Sequence, residues 1–299
     1  MSGGTDADLQ ALAAIGRGLK DRRRRAFRGS LVTWLIVAAL FGGAALYAAV
    51  DQGAPIAYVF AAGIALFCLW QAFAETGAEV SQETRRTAMP ILARMAGLDY
   101  DRTLPVPDAV KEAGVLPAGS ALTRDAITGE MDGLPFRAWQ FWVRDTRYDA
   151  KGRTRTVTAF FGLLVEVPAP GAPDLIADRQ GLMERFKDGM DGRPSRRIDV
   201  GGQRLACRFD EERIAPETVE GSLRTLMEGL PEGAELEAVI QTDGTAWIVV
   251  ETKRDLFRFD GLFGSAETLP DEARAALADL AVPARIGTAW LATPAARPA

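Results

Sequence analysis

The side chains able to do chemistry in this 299-residue chain are few, and their types limit what it can do. Histidine is missing altogether. That removes imidazole acid/base catalysis, triads that need His, and His-ligated metals. There are two cysteines, Cys68 in an apolar stretch and Cys207 in an expected strand, and neither belongs to a closely spaced metal or redox motif. Leu205, Cys207 and Phe209 alternate with Arg204, Ala206 and Arg208. Cys207 therefore reads as a small core residue rather than a nucleophile. Carboxylates remain. Asp210, Glu211 and Glu212 precede an expected helix, where negative charge suits the free N–H groups of the first turn. Capping and solvation explain this run better than a divalent cation, because no separated partner ligands accompany it. No glycine-rich phosphate loop follows a strand, and Ser and Lys show no catalytic arrangement. The expectation is no catalytic, cofactor-binding or metal residue and no cofactor. Asp/Glu acid/base work stays as the one enzymatic alternative.

Two groups of residues are suited to contact rather than catalysis. The first is the basic run Arg22, Arg23, Arg24 and Arg25, with Phe27 beside it. Placed next to a bilayer, it would meet anionic lipid. The second is an aromatic hairpin. Trp139, Phe141, Trp142, Phe160 and Phe161 concentrate ring mass on adjacent strands, and Arg137, Arg144, Arg147, Arg153 and Arg155 surround them. Core packing is the first account. The alternative is a groove for a lipid, a peptide or a membrane surface, in which Arg137, Trp139, Phe141 and Arg147 would make contact.

Charge separates the chain into two parts. Residues 1–28 carry seven Lys or Arg against three Asp, giving +4, and the remainder carries −9. An acidic body argues against nucleic acid as its partner. The region just after the basic tail contains Gly29–Val50, 22 residues without Lys, Arg, Asp or Glu, and Gln52–Ala74, 23 more. Each is long enough to cross hydrocarbon. Trp34, Tyr47 and Trp70 lie near their ends, where interfacial rings are favoured. The joining loop has no Lys or Arg, whereas Arg85 and Arg86 follow the second stretch. The positive-inside rule then puts both termini in the cytoplasm. Neither stretch holds an ionisable group of the kind a coupled transporter needs. Gly42-Gly43 and Gly63 read as ordinary small residues, with a helix-association face as the alternative.

The remaining elements follow from pattern. Residues 75–97 are expected to continue the second helix or to form a membrane-proximal helix, kinked or broken at Pro90 and stopped at Gly97. A proline-bearing linker follows, with a short helix at Asp108–Ala113. Asp132-Gly133, Gly201-Gly202 and Asp243-Gly244 mark hairpins. They join Ala126–Met131 to Leu134–Val143, Arg197–Val200 to Gln203–Phe209, and Leu236–Ile240 to Ala246–Val250. Further strands are expected at Thr156–Val167 and Leu175–Ala177, with a turn over 148–152 and a short helix at Leu182–Phe186. Pro216 opens an amphipathic helix with Val219, Leu223, Leu226, Met227 and Leu230 on one stripe. Pro270 opens a last helix, with Ala273, Leu277 and Leu280 inward. The tail after Pro294 should fray.

The fold class expected is α+β: a two-helix transmembrane hairpin followed by a cytoplasmic, mainly antiparallel β-rich domain with packed helices. The domains are 1–28 (basic segment), 29–74 (hairpin), 75–119 (helix and linker), 120–292 (α+β domain) and 293–299 (tail). A pleckstrin-homology-like barrel around 125–230 is one way to close the strands.

Several stretches resemble an uncharacterised bacterial family known as domain of unknown function number thirty-one thirty-seven. The likeness runs from about Leu9 to Phe263. It rests on Asp125-Ala126-Ile127-Thr128-Gly129, Thr158-Ala159-Phe160-Phe161-Gly162-Leu163, Phe209 through Leu230, and Trp247–Val250 followed by Asp255-Leu256-Phe257. The resemblance implies a two-pass protein of the bacterial inner membrane and supplies no activity. The function expected is a membrane-tethered binding or scaffold module with an unidentified protein partner. The alternatives are a carboxylate-using membrane-anchored enzyme and a lipid-binding or transport-accessory subunit.

Overall fold

In the computed structural model Gly29–Val50 lies inside one very long helix and Ile56–Ala74 inside another. The structure describes residues 6–52, 56–113, 115–116, 119–148, 153–179, 196–252, 255–257, 259 and 269–297. The chain divides into two compact units, Met1–Ala96 with Phe257–Leu277, and Gly97–Leu256 with Ala278–Ala299.

The first unit is built on α1 (Asp6–Gln52) and α2 (Ile56–Met95). At about 1.5 Å per residue, either helix is longer than a membrane is thick. Each contains a segment long and apolar enough to cross one. The charge-free halves touch through a narrow seam. Phe27 lies 5.0 Å from Phe73, and the edge of one ring meets the face of the other between Trp34 and Phe67 at 6.2 Å. Cys68 and Ala72 are buried. Elsewhere the large apolar side chains point outward, among them Val32, Leu35, Leu40, Phe41, Phe60 and Leu66. A methyl group added at Gly42, Gly43 or Gly63 would meet nothing within 4 Å, so packing in this chain does not require glycine there. The charged halves are organised differently. Ile15 and Leu19 of α1 and Val80, Ala88, Met89, Leu92 and Ala93 of α2 are buried. α2 runs on through Pro90 to Met95, so the chain does not break at Pro90; the helix stops just before Gly97, the expected stop, which takes a φ of 74°. Phe257 and Phe259 are buried in this unit. The Ser81 hydroxyl donates to the Phe259 carbonyl at 2.5 Å, and the Arg85 guanidinium lies over the Phe257 ring.

Among the described residues the second unit holds a nine-stranded sheet in which every paired neighbour is antiparallel. Its strands are β1 (Leu98–Asp101), β2 (Ser120–Met131), β3 (Leu134–Tyr148), β4 (Thr154–Pro168), β5 (Leu175–Arg179), β6 (Arg196–Val200), β7 (Gln203–Phe209), β8 (Ala234–Thr242) and β9 (Thr245–Thr252). The order across the sheet is β1-β2-β3-β4-β9-β8-β5-β7-β6. The three hairpin turns have two consecutive residues at positive φ: Asp132-Gly133, Gly201-Gly202 and Asp243-Gly244. That is the turn whose twist matches its strands. The sheet is open, with β1 and β6 at its edges. The pleckstrin-homology-like barrel is not formed, because the β8–β9 hairpin separates β4 from β5 instead of letting 125–230 close on itself.

Both faces of the sheet are covered. On one, Trp139, Phe141, Val143, Phe160, Leu164, Ala238, Ile240 and Val249 pack under Val106, Val110 and Val115, around α3 (Asp108–Glu112). On the other lie α4 (Pro216–Glu228) and α6 (Val282–Leu291). Their buried residues include Val219, Leu223 and Leu226, and Ile286 and Trp290. Gln241 anchors this layer. Its amide donates to the carbonyls of Pro173 (2.7 Å) and Ala295 (2.9 Å) and accepts from the Trp290 indole (2.9 Å). The last expected helix is two, α5 (Leu269–Leu280) and α6, because Pro283 starts a new helix after Ala281. The expected fraying after Pro294 is also corrected. Pro294–Ala296 forms a 3-10 turn with Ala295 and Ala296 buried, and the Ser222 hydroxyl accepts from the Ala295 amide. The expected turn at 149–152 and helix at Leu182–Phe186 lie outside the described residues.

Candidate functional site

The first unit holds two grooves of unlike chemistry. In the polar one, Glu75, Glu79 and Glu83 project from one face of α2 at four-residue spacing, the repeat that places side chains one above another on a helix. Opposite them α1 presents Arg22, Arg25, Ala26, Gly29, Ser30 and Thr33. The space between is about 490 Å³. Glu75 is already engaged, since its Oε2 accepts from the Ser30 hydroxyl and the Trp34 indole, both at 2.8 Å. Arg22 differs. Its Nη1 is out of solvent and, among the described residues, donates to nothing. Among the described residues no ion pair joins Arg22 or Arg25 to Glu79 or Glu83. The groove therefore has a cationic wall on α1 and an anionic wall on α2.

The second groove, about 530 Å³, is apolar. Leu12, Gly16, Leu92, Met95, Ala273 and Leu277 line it, with exposed Arg17 and Arg274 alongside.

The sheet unit carries a carboxylate cluster. The Arg179 Nη1 lies 2.7 Å from Glu235, 3.3 Å from Glu251 and 3.9 Å from Glu237. Burial pushes the Glu237 carboxyl up to about 7; Arg179 opposes this, and Glu251, Asp178 and Glu235 add to it. Burial, with Asp178 nearby, pushes the Cys207 thiol up to about 12. A carboxyl titrating near neutrality has the right acidity for proton transfer. Glu237 lines neither groove, however. Among the described residues no three His, Cys, Asp or Glu side chains gather as a metal site.

The residues expected to make contact fall into three places. Arg22–Arg25 all lie on α1, but only Arg22 and Arg25 line the polar groove. Trp139 and Phe141 are 1% and 0% exposed under the α3 segment, so they form core and not an open aromatic groove. Arg137 sits over the Trp139 ring and is bound to Glu166, its Nε donating at 2.9 Å. The other Glu166 oxygen accepts from the Trp247 indole at 3.2 Å. The backbone of Arg147 pairs with Arg155, and its side chain lies outside the described residues. The run Asp210–Glu212 is a local turn, in which the Asp210 carboxylate accepts from the Glu212 amide and Glu211 pairs with Arg196. Sequence reasoning passed over Glu75, Glu79 and Glu83 as sites. Their four-residue spacing was the available signal, but it acquires meaning only when α1 is laid beside α2.

No protein-family model matches the chain, and no curated protein matches it. Among solved structures it is similar to the mycobacterial trehalose monomycolate transport factor A, at 12% identity over 69% of this chain and 95% of that one, with a TM-score of 0.33. A likeness at that level transfers neither fold nor activity.

Proposed function

We propose that this is a two-pass protein of a bacterial inner membrane. Its charge-free helix halves lie in hydrocarbon, both termini are cytoplasmic, and it works as a membrane-tethered binding module that meets phospholipid headgroups through Arg22–Arg25. The observation that carries this reading is the outward-facing apolar belt of Val32, Leu35, Leu40, Phe41, Phe60 and Leu66. In water that contiguous surface would be costly, and in lipid it is at home. Tethering raises the local concentration of the folded sheet unit near membrane partners. Kinship with the uncharacterised family named above belongs to the same proposal and rests on the stretches quoted for it. The second reading is a lipid-binding or transport-accessory subunit. The apolar groove beside Arg17 and Arg274 favours it, being of a size that accepts small amphiphiles.

Fractionation tests the anchor. The full chain should stay with carbonate-washed membranes and leave them only in detergent. A chain that remains in the supernatant once membranes are pelleted would sink the reading. Crosslinking in intact membranes then distinguishes the two functions, as protein adducts support a binding module and lipid adducts alone support the accessory subunit.

A further inference from the structure

We propose that the polar groove between α1 and α2 is a binding site for the headgroup of a zwitterionic phospholipid bearing a primary ammonium, with its phosphate on Arg22 and Arg25 and its ammonium on Glu79 and Glu83. The inference rests on the membrane reading and adds to it a site and a ligand class.

Depth comes first. Ser30 and Thr33 open the first charge-free stretch, and Glu75 is the first charge after the second. The groove they share with Arg22, Arg25, Glu79 and Glu83 therefore begins where the hydrocarbon ends, in the layer that headgroups occupy. Charge comes next. A buried guanidinium N–H without an acceptor is unfavourable, and Arg22, which lines this groove, has one. An anionic oxygen would remove the penalty, and phosphate is the anion present at that depth. An anionic headgroup alone would also face three carboxylates. A cation alone would leave the Arg22 donor unmet. A ligand with both charges satisfies both walls.

The carboxylates further select the ammonium. Glu75 already accepts two hydrogen bonds, which leaves Glu79 and Glu83 to receive a donor. A primary ammonium has three N–H donors to offer them. A quaternary ammonium has none and is held by aromatic faces instead, and among the described residues no aromatic lines this groove. The order of preference is thus ethanolamine over choline, and either over glycerol. The volume of about 490 Å³ falls in the range of small-ligand sites.

The test uses the full chain in bilayer nanodiscs containing equal parts phosphatidylethanolamine, phosphatidylcholine and phosphatidylglycerol. Lipid retained through mild detergent extraction is quantified by native mass spectrometry. Phosphatidylethanolamine should be enriched about tenfold over the other two, the effect of one or two charge-assisted hydrogen bonds. The double variant Glu79→Gln/Glu83→Gln should lose that preference, and Arg22→Gln should lower retention of every phospholipid. Arg224→Gln, on α4 of the sheet unit, should change neither. The comparison among three lipids on the wild-type chain needs no variant and stands if a variant fails to insert. Selection of phosphatidylglycerol, equal retention of all three, or an undiminished preference in the double variant would overturn the headgroup site while leaving the anchor intact. A wild-type chain that never enters the bilayer fails the anchor reading instead.

Discussion

The helical hairpin and the sheet unit use much the same apolar residues and place them on opposite sides. In the hairpin, Leu35, Leu40, Phe41 and Phe60 face outward, and only a thin seam around Cys68 and Ala72 is enclosed. In the sheet unit, Trp139, Phe141, Leu164 and Val249 are sealed beneath the α3 segment, and Trp290 is sealed on the far side. Polar groups are reversed too. The hairpin's charge-free halves have no buried ion pair to maintain, whereas the sheet unit buries Gln241 with every amide atom engaged. The difference matches the proposed function, in which hydrocarbon surrounds the hairpin and water the sheet unit.

The contrast can be broken by truncating apolar side chains in both regions and unfolding the detergent-solubilised full chain, with near-ultraviolet circular dichroism reporting the sheet unit. The largest effect belongs to Phe141→Ala, which should destabilise by about 3–5 kcal/mol through the cavity it leaves. A loss below about 1 kcal/mol would mean the α3 segment does not hold that face closed. Next is Glu237→Gln. A carboxyl whose pKa is raised on folding binds its proton more tightly when folded, so it supports folding below its ordinary value of 4.5 and loses that support as pH rises through about 7. The variant should gain about 2 kcal/mol at pH 8, allowing for partial solvent screening, and match the wild type near pH 4. An equal gain at both pH values would assign the effect to something other than this proton. Trp290→Phe, which keeps a ring but leaves the Gln241 carbonyl oxygen without its donor, should cost about 1–3 kcal/mol. The smallest effect is in the hairpin. Leu40→Ala should stay within about 0.5 kcal/mol, because the removed atoms touch solvent rather than protein. A Leu40→Ala loss equal to that of Phe141→Ala would erase the distinction between the two regions.

Much of this organisation was legible because it is local. Each of the three hairpin turns is a dipeptide that takes positive φ readily, and each turned where it was expected. The stripe of Val219, Leu223 and Leu226 needed only helical spacing. Elements that depend on distant residues were not visible. β1 lies in a proline-bearing stretch and pairs with β2 by bringing Leu98 against Gly129, where an added methyl would fall 2.6 Å from the Leu98 side chain. The outer end of β3, from Arg144 to Tyr148, and the first residues of β4, Thr154 and Arg155, lay outside the expected strands, yet this end of β3 pairs with β4 despite a polar sequence that shows no buried face. The polar groove is the extreme case. Its cationic and anionic walls are some fifty residues apart in the chain, and the spacing of Glu75, Glu79 and Glu83 showed only as acid offsetting base after the second span.

The position of the β8–β9 hairpin has a consequence for how the chain is made. These strands emerge from the ribosome after seven others, yet they occupy the middle of the sheet, with β4 on one flank and β5 on the other. Until residue 252 has been synthesised, the left and right wings have no shared edge, and each exposes a strand flank able to pair with the wrong neighbour. Translation thus leaves two half-sheets waiting on a late insert. A nascent chain stalled before Ala234 is the form most exposed to aggregation and in most need of a chaperone.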